Sequence, residues 1–546
     1  MMEFTCKADY KAEKNTVLGT FDVASFTGDK NLTVKKAWIS TGGWQSWSSA
    51  LEVEPGKRQP YLHVAFITKW IRFLLFPESS FKVSRNQVLA QFITYLRWND
   101  TYLFFVSCGN IHDECPPVQF VFDRRKNTVT FEICDIGKEW KKGGLQAKIE
   151  VFTAQSYFEA KDKLSELFGH DHFKQIDFLG KNPGGWESWY NHYTDINERL
   201  ILDDLVSLSK TDNIISSGNY SSVVFQIDDG WEQAIGDWEP LSDRFPNGLA
   251  PLAASIEKKG YIPGLWIAPF LCSVKSETAK AHPDWLLRDK RGKLVIAGFN
   301  PSWDGLFYCL DLSIPEVLEH LDALMERAVN EWGFRYLKLD FLYAGMYWGA
   351  HKNAGAQYEL YNRAVKMLTS RTKNKEGRDV CYLGCGLPFE QSFRCFPLSR
   401  IGADTREHWE NGLYKFIHWN GRNAAFTNLQ DSLGHAMWDK VVFANDPDVL
   451  FVRNENCSLT RDEKLLIATV DALFGSQIMY SDDPAHSDSP EEKALTHEIL
   501  EIIEKNRDKE FSVKPLGKEY YVISSRDGSA HGVILFGRQH RVVWEK

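Results

Sequence analysis

The sequence predicts an α/β protein whose main domain is a (β/α)8 TIM barrel, with an N-terminal β-sandwich and a small C-terminal β-domain. Three observations predict it: short alternating or apolar runs at the start, strands that alternate with amphipathic segments in the middle, and a hairpin pattern near the end. The 546 residues allow one catalytic domain of about 250 residues with smaller companions. We place the three domains at residues 1–175, 176–485 and 486–546.

The N-terminal domain consists of short runs broken by turn residues, a pattern typical of a β-sandwich. A helical stretch from Tyr157 to Phe168 and the turn signal Pro183-Gly184-Gly185 mark its boundary with the next domain. The predicted strands are Tyr61 to Ile67, Trp70 to Phe76, Gln91 to Trp98, Tyr102 to Val106, Val118 to Phe122 and Thr128 to Ile133.

The middle domain alternates eight predicted strands with amphipathic stretches such as Glu316 to Val329 and Gln357 to Thr369, which indicates a parallel barrel. A doubly wound open sheet is the competing fold, but no Gly-rich phosphate turn follows the first strand. The predicted strands are Gly185 to Tyr190, Val223 to Ile227, Ile262 to Ala268, Tyr336 to Phe341, Val380 to Cys385, Arg400 to Asp404, Val441 to Asn445 and Gln477 to Tyr480.

The C-terminal segment has two alternating runs, Tyr520 to Ser525 and Gly532 to Phe536. Arg526-Asp527-Gly528 lies between them. An Asp-Gly pair between alternating runs is a strong hairpin signal. The tail therefore predicts a small β-domain.

The charge and composition limit the classes of partner. The chain has 64 Lys plus Arg against 73 Asp plus Glu and no run of basic residues, which argues against nucleic acid and against a membrane surface. No signal peptide and no stretch of about 20 apolar residues is seen, so we expect a cytoplasmic protein with free thiols. The 19 Trp, 20 Tyr and 35 Phe suit stacking on a small ligand, although a large aromatic core would account for them equally well. The sequence carries no signal of oligomeric state.

Polar residues close the predicted barrel strands, and the active site of a TIM barrel lies at the carboxyl ends of its strands. Side chains two positions apart on a strand share a face, so each of three strand ends should present a pair of polar groups to one side. These pairs are Gln226 with Asp228, Lys338 with Asp340, and Arg400 with Asp404.

Two carboxylates that face each other across a pocket are the groups that glycoside hydrolysis requires. One attacks or activates water, and the other holds a proton for the leaving oxygen. The alternative interpretation is a ring of structural ion pairs at the barrel rim, because a buried carboxylate needs a compensating partner.

Short motifs spread over nearly the whole length resemble the α-galactosidases of glycoside hydrolase family 36, in their order and in their placement at strand ends. The motifs are Trp44-Gln45-Ser46-Trp47, Trp186-Glu187-Ser188-Trp189-Tyr190, Phe225-Gln226-Ile227-Asp228-Asp229, Gly236-Asp237-Trp238, Pro263-Gly264-Leu265-Trp266-Ile267-Ala268-Pro269-Phe270, Lys338-Leu339-Asp340-Phe341, Gly384-Cys385-Gly386, Arg400-Ile401-Gly402-Ala403-Asp404-Thr405 and Asn445-Asp446-Pro447-Asp448.

This resemblance implies a retaining α-galactosidase that releases terminal α-linked galactose through a covalent galactosyl-enzyme. Asp340 would be the nucleophile and Asp404 the general acid/base. Retention requires the two carboxyl groups to lie about 5–5.5 Å apart, because the nucleophile must reach the anomeric carbon directly. The predicted partner is a small α-galactoside, and the mechanism uses no cofactor and no metal.

The resemblance also implies the sugar contacts. Asp228 and Asp229 would accept hydrogen bonds from hydroxyls 4 and 6, and Lys338 would donate near hydroxyls 3 and 4. Arg400 and Cys385 would lie by hydroxyl 2. For the Asp228-Asp229 pair, a turn that opens a helix and a Mg²⁺ site are the alternatives, and for Cys385 the alternative is a core thiol.

Three tryptophans complete the predicted pocket. Trp189 and Trp266 would form its walls, and Trp47 would reach over the barrel mouth from the sandwich domain. Core packing is the alternative for Trp189 and Trp266, and packing between domains is the alternative for Trp47.

Five other functions compete with this prediction. Lys338 at a strand end could serve a Schiff-base aldolase. A metal-dependent hydrolase would need His-rich strand ends, but the only His-x-His sequence, His170-Asp171-His172, precedes the barrel. A carbohydrate-binding protein on an inactive barrel would have lost a carboxylate, whereas both are present. A transglycosylase or a related α-glycosidase with another sugar specificity shares the covalent step, so the sequence does not separate these two from hydrolysis of galactosides.

Overall fold

The computed structural model describes residues 2–8, 16–59, 84–107, 117–133, 145–303, 305–347, 349–410, 412, 423–485, 489–517 and 519–545. The predicted strands Tyr61 to Ile67 and Trp70 to Phe76 lie outside these ranges. Within the described ranges, no helix has both the length and the apolar character that crossing a membrane requires.

Two antiparallel sheets form the N-terminal domain, as predicted. Phe105 of the first sheet contacts Phe120 and Phe131 of the second, with ring centroids 6.2 Å and 6.0 Å apart. The first sheet has the strand order Met2–Ala8, Leu145–Ala154, Thr101–Ser107, Ile93–Trp98, Trp38–Ser40 and Glu52–Val53. The second has the order Thr16–Asp22, Thr128–Ile133, Val118–Asp123 and Gln87–Gln91. The helices of this part are Val23–Thr27, Tyr157–Phe168 and the 3-10 helix Asp171–Leu179.

Nine parallel strands form the central sheet, which confirms the predicted barrel architecture. One edge strand ends at Asp446 and the other begins at Val449, so only two residues separate the edges along the chain and the sheet must curl around. In spatial order the strands are Ala444–Asp446, Leu398–Arg400, Cys381–Gly384, Tyr336–Leu339, Ile262–Ile267, Ser222–Ile227, Pro183–Glu187, Ile478–Tyr480 and Val449–Leu450.

Amphipathic helices cover the outside of the barrel, and the two helices predicted from periodicity are present. Pro315–Glu326 buries Val317, Leu321 and Leu324 along one face and continues as a π-helical turn, Arg327–Glu331. The other helices are Trp189–His192, Glu198–Leu208, Ile214–Ser217, Ala250–Lys258, Glu277–Ala281, Gln357–Leu368, Phe389–Ser392, Ala425–Gly434 and Arg461–Phe474, with 3-10 turns at Pro301–Trp303, Leu342–Met346 and Ala436–Trp438.

Two small antiparallel sheets extend from the carboxyl ends of the barrel strands. A hairpin of Glu232–Ala234 and Asp237–Pro240 follows the second strand. A three-stranded sheet of Leu271–Ser273, Gly305–Cys309 and Ile296–Asn300 follows the third strand. The second of these carries Trp303 toward the barrel mouth, as the contacts below show.

The C-terminal part begins with helix Pro490–Asn506, which packs on the barrel helix Arg461–Phe474. A four-stranded antiparallel sheet follows, and its two middle strands form the predicted hairpin. The strands are Phe511–Gly517, Tyr520–Ser525, His531–Leu535 and Arg541–Trp544.

The sandwich domain docks on the barrel through the loop that contains Trp47. The backbone N–H of Ser46 donates to Leu387 O at 3.1 Å, and the N–H of Phe389 donates to Trp44 O at 3.0 Å. Leu387 and Phe389 follow the fifth barrel strand. Main-chain hydrogen bonds therefore fix this loop beside the carboxyl ends of the barrel strands.

Candidate active site

A buried ammonium lies at the centre of the strand ends. Lys338 Nζ lies 2.9 Å from Asp228 Oδ2 and 3.3 Å from Glu187 Oε2. The amide Nε2 of Gln226 donates to the same two oxygens, at 2.7 Å and 2.9 Å. Burial lowers the pKa of Lys338, but Asp228 and Glu187 outweigh it and hold the pKa well above its usual value. Lys338 therefore stays charged.

Asp340 follows the fourth strand and is held by fixed donors. Trp266 Nε1 donates to Oδ2 at 3.0 Å, and the backbone N–H of Phe341 donates to Oδ1 at 2.7 Å. Burial raises the pKa of Asp340, and the charge of Asp404 raises it further, whereas Lys338 and the donors lower it. The two predicted catalytic carboxylates are thus close enough to influence each other electrostatically.

Asp404 lies in the loop after the sixth strand, not in the strand. The prediction that the strand runs from Arg400 to Asp404 is wrong, because the strand is Leu398–Arg400 and residues 401–410 form bends and irregular structure. The two side chains still meet, since Arg400 Nη1 donates to Asp404 Oδ1 at 3.3 Å. Asn423 Nδ2 donates to Oδ2 at 3.0 Å. With 24% of its side chain exposed, Asp404 is the more accessible of the two predicted catalytic groups.

Arg400 is surrounded by carboxylates. Its Nε donates to Asp446 Oδ2 at 2.8 Å, and Nη2 lies 2.8 Å from Asp448 Oδ1. Burial lowers the pKa of Arg400, but Asp448 and Asp446 raise it well above the usual value. We expect Arg400 to contact sugar hydroxyls, and in the structure its three nitrogens face acidic groups. A guanidinium has five N–H groups, so donors remain beyond these contacts.

Asp229 and Glu232 form a buried acidic pair. Trp303 Nε1 donates to Asp229 Oδ2 at 2.7 Å. Burial and the charge of Glu232 raise the pKa of Asp229 well above its usual value, which favours the protonated form of this side chain.

Aromatic rings surround these carboxylates. Trp47 contacts Phe341, the residue after Asp340, with centroids 5.0 Å apart, and Trp303 also contacts Phe341 at that distance. Trp266 lies 6.2 Å from Trp303. Trp47 thus packs on the residue after Asp340, and Trp266 belongs to the same group of aromatic rings.

The other two predicted pocket residues, Trp189 and Cys385, differ from each other in their surroundings. The half-buried ring of Trp189 packs against Tyr193, 5.2 Å away, and Tyr193 in turn bonds to Glu407 in the loop after Asp404. Its contacts thus lie on the Asp404 side of the mouth. Cys385 is fully buried. Burial and the charge of Asp340 raise the pKa of Cys385 well above its usual value, so it is a neutral thiol.

Sequence reasoning missed four side chains that complete the site: Glu187, Asp446, Asp448 and Trp303. The first three lie in the strand-end motifs, so their position in the sequence could have indicated them. The residues that each one contacts depend on which strands are neighbours in the barrel. Trp303 lies on a hairpin that has no motif of its own. Among the described residues, no group of three or more His, Cys, Asp or Glu side chains is arranged to hold a metal ion.

The chain is similar in sequence to known α-galactosidases. The Melibiase family model matches residues 181–354, which contain the first four barrel strands. An α-galactosidase of Escherichia coli is 27% identical over 176 residues, or 30% of this chain and 24% of that enzyme. α-Galactosidase C of Emericella nidulans is 29% identical over 265 residues, or 43% of this chain and 31% of that enzyme. The chain thus matches about a quarter to a third of the length of these relatives.

A solved structure covers far more of the chain. The α-galactosidase TtGalA of Thermus thermophilus, in complex with p-nitrophenyl α-D-galactopyranoside, superimposes with a TM-score of 0.69 at 27% identity and covers 90% of both chains. Structural similarity therefore extends well beyond the residues that the family model matches. Together these matches confirm the resemblance that the strand-end motifs predict.

Proposed function

We propose that this chain, a relative of the α-galactosidases of glycoside hydrolase family 36, is a retaining α-galactosidase that hydrolyses terminal α-linked galactose from galacto-oligosaccharides. One observation supports the proposal most strongly. Asp340 and Asp404 both follow barrel strands, the charge of Asp404 raises the pKa of Asp340, and each carboxyl group accepts a hydrogen bond from a neighbouring donor.

In the first step, a carboxylate oxygen of Asp340 attacks the anomeric carbon of galactose from the face opposite the leaving group. The bond from that carbon to the leaving oxygen breaks, and the proton of Asp404 passes to the leaving oxygen. Trp266 Nε1 and the Phe341 N–H keep Asp340 from rotating, so the nucleophile is held in place before the substrate binds.

In the second step, Asp404 removes a proton from water, and the water oxygen attacks the same carbon from the face that the leaving group vacated. The ester bond to Asp340 breaks, and galactose leaves with its original α configuration. The greater exposure of Asp404 suits this role, because both the leaving group and the water must reach it.

Sugar recognition follows from the buried charges. Asp228 accepts from hydroxyls on one side of the ring, and Lys338 donates to their neighbours. The 2.9 Å ion pair fixes both side chains, so the pocket distinguishes an axial from an equatorial hydroxyl. Asp229 meets hydroxyl 6, Arg400 and Cys385 lie by hydroxyl 2, and Trp47, Trp189 and Trp266 form the walls. A buried, neutral thiol beside hydroxyl 2 favours a plain hydroxyl there.

A panel of aryl α-glycosides with galacto, gluco and 2-acetamido-galacto sugars tests this function. We expect the galactoside to be hydrolysed at least about a hundredfold faster than the other two, because a mismatched hydroxyl leaves buried polar groups unpaired. Proton NMR should detect α-galactose first and the β anomer only as the sugar equilibrates. A β anomer as first product, or preference for another sugar, would contradict the proposal.

Asp228→Asn tests sugar recognition separately from bond cleavage. The amide keeps the shape but loses the charge that pairs with Lys338, so kcat/KM should fall about a hundredfold, mainly through KM. Asp237→Asn is the matched control. Asp237 lies in the hairpin after the same strand and accepts from the N–H groups of Glu277 and Thr278, outside the pocket. A fall in kcat with an unchanged KM would assign Asp228 to the chemical step instead.

A further inference from the structure

Glu187 is a buried acid in the pocket that the proposed mechanism does not use. It closes the first barrel strand and is 2% exposed. Its Oε2 receives the hydrogen bond from Gln226 and the weaker contact from Lys338, at 2.9 Å and 3.3 Å. The same two donors lie closer to Asp228 Oδ2. Two carboxyl groups therefore share one ammonium and one amide.

The hydrogen bonds indicate which of the two acids carries the negative charge. Asp228 uses both oxygens, because its Oδ1 also accepts from the backbone N–H of Asp229 at 3.0 Å. Among the described residues, Glu187 Oε1 has no hydrogen-bond partner. An ionised Glu187 would thus place a buried, charged oxygen where no protein donor faces it, whereas the neutral acid carries no such charge.

The charged groups around Glu187 come from four other strands. Lys338 on the fourth strand and Arg400 on the sixth favour its ionised form, and Asp228 on the second strand and Asp448 after the seventh oppose it. Burial is the largest influence, and together these raise the pKa of Glu187 to about 8. These influences favour the neutral acid at acidic and neutral pH.

We propose that Glu187 is a positioning residue that, as a neutral acid, leaves the Lys338 ammonium paired with Asp228, and that loss of its proton weakens galactoside binding. This inference rests on the proposed function, in which Lys338 and Asp228 contact the sugar. An ionised Glu187 competes with Asp228 for the same ammonium. Lys338 then turns its N–H groups away from the sugar hydroxyls, while Asp340 and Asp404 are not displaced.

Glu187→Gln tests this proposal through the pH dependence of KM. The amide keeps the size of the side chain and has no proton to lose. For an aryl α-galactoside, wild-type KM should rise by up to about tenfold between pH 7 and pH 9, as expected for one proton with a pKa near 8, and kcat should change little. The variant should lack this rise. Glu187→Ala should raise KM at every pH, whereas Glu187→Gln should not show this increase.

Glu492→Gln is the matched control, because this buried glutamate accepts from the N–H of Asn454 at 2.8 Å and contacts neither Lys338 nor Asp228. It should keep the wild-type KM profile. The proposal is overturned if Glu187→Gln also keeps that profile, or if its effect appears only in kcat.

Thermal unfolding without substrate separates this inference from the proposed function. Because the pKa of Glu187 is raised in the folded state, the unfolded chain releases the proton first as pH rises. The wild type should therefore lose Tm relative to Glu187→Gln from pH 5 to pH 8, and the difference should level off above that. If the protein binds no galactoside, the proposed function is wrong, but the pH dependence of Tm still shows whether Glu187 holds a proton. A difference in Tm between the wild type and Glu187→Gln that stays constant with pH would show that Glu187 is not neutral in the folded protein.

Discussion

Asp340→Gly should lower the turnover of an aryl α-galactoside by at least about 10⁴-fold, because no other carboxylate replaces the lost nucleophile. Removal of the side chain leaves a space that Trp266 and the Phe341 N–H still border. Azide fits such a space and can attack the anomeric carbon from the same face. Added azide should therefore restore cleavage and give β-galactosyl azide, whose configuration is inverted.

The configuration of the azide product is the decisive measurement, and NMR assigns it. Wild-type enzyme with azide controls for a nonspecific effect of the salt, and a thermal melt of Asp340→Gly confirms that the variant folds. Near-normal turnover without azide would show that another group is the nucleophile. Rescue with an α-configured azide would place Asp340 on the wrong face of the sugar.

Much of this site follows from local sequence, because a strand end dictates where its side chains point. The sequence places Asp228 and Lys338 at the ends of two buried strands, and in the structure the two side chains form one ion pair. The helix from Tyr157 to Phe168 was also predicted with its observed ends. Ser156 caps its first turn, and Gly169 follows its last residue.

Contacts between strands could not be predicted in the same way. Arg400 was paired with Asp404 by assuming one continuous strand, whereas the strand stops at Arg400 and Asp446 and Asp448 bind the same guanidinium. These partners depend on which strands are neighbours in the barrel, and periodicity along one strand carries no such information. The position of Trp303 depends on the path of the long segment that connects two barrel strands, and no local sequence pattern specifies that path.

The ion pairs of Arg400 are compatible with the proposed role of Asp404. Asp446 and Asp448 lie closer to the guanidinium than Asp404 does, at 2.8 Å each against 3.3 Å. Asp404 has a weaker hold on Arg400 and a second donor in Asn423, and a loop position leaves it open to the leaving group.

Asp404→Gly should affect substrates according to their leaving groups. The leaving group of a galacto-oligosaccharide is a sugar whose oxygen is strongly basic and needs the proton of Asp404. The kcat/KM for such a substrate should therefore fall about 10²–10⁴-fold. An aryl galactoside with a strongly acidic phenol needs little protonation, and its first step should slow by less than about tenfold. A plot of log kcat/KM against the acidity of the leaving phenol should be much steeper for the variant than for the wild type.

Azide again distinguishes the role, and here it should give the opposite product. With Asp340 intact, the galactosyl-enzyme forms, and azide replaces the water that Asp404 would have activated. Attack from the face that the leaving group vacated gives α-galactosyl azide, whose configuration is retained. Because Asp340→Gly gives the β product from the same reagents, each variant is the control for the other. If both variants gave the same anomer, or if leaving-group acidity had no effect in Asp404→Gly, the two carboxylates would not have the two separate roles that retention requires.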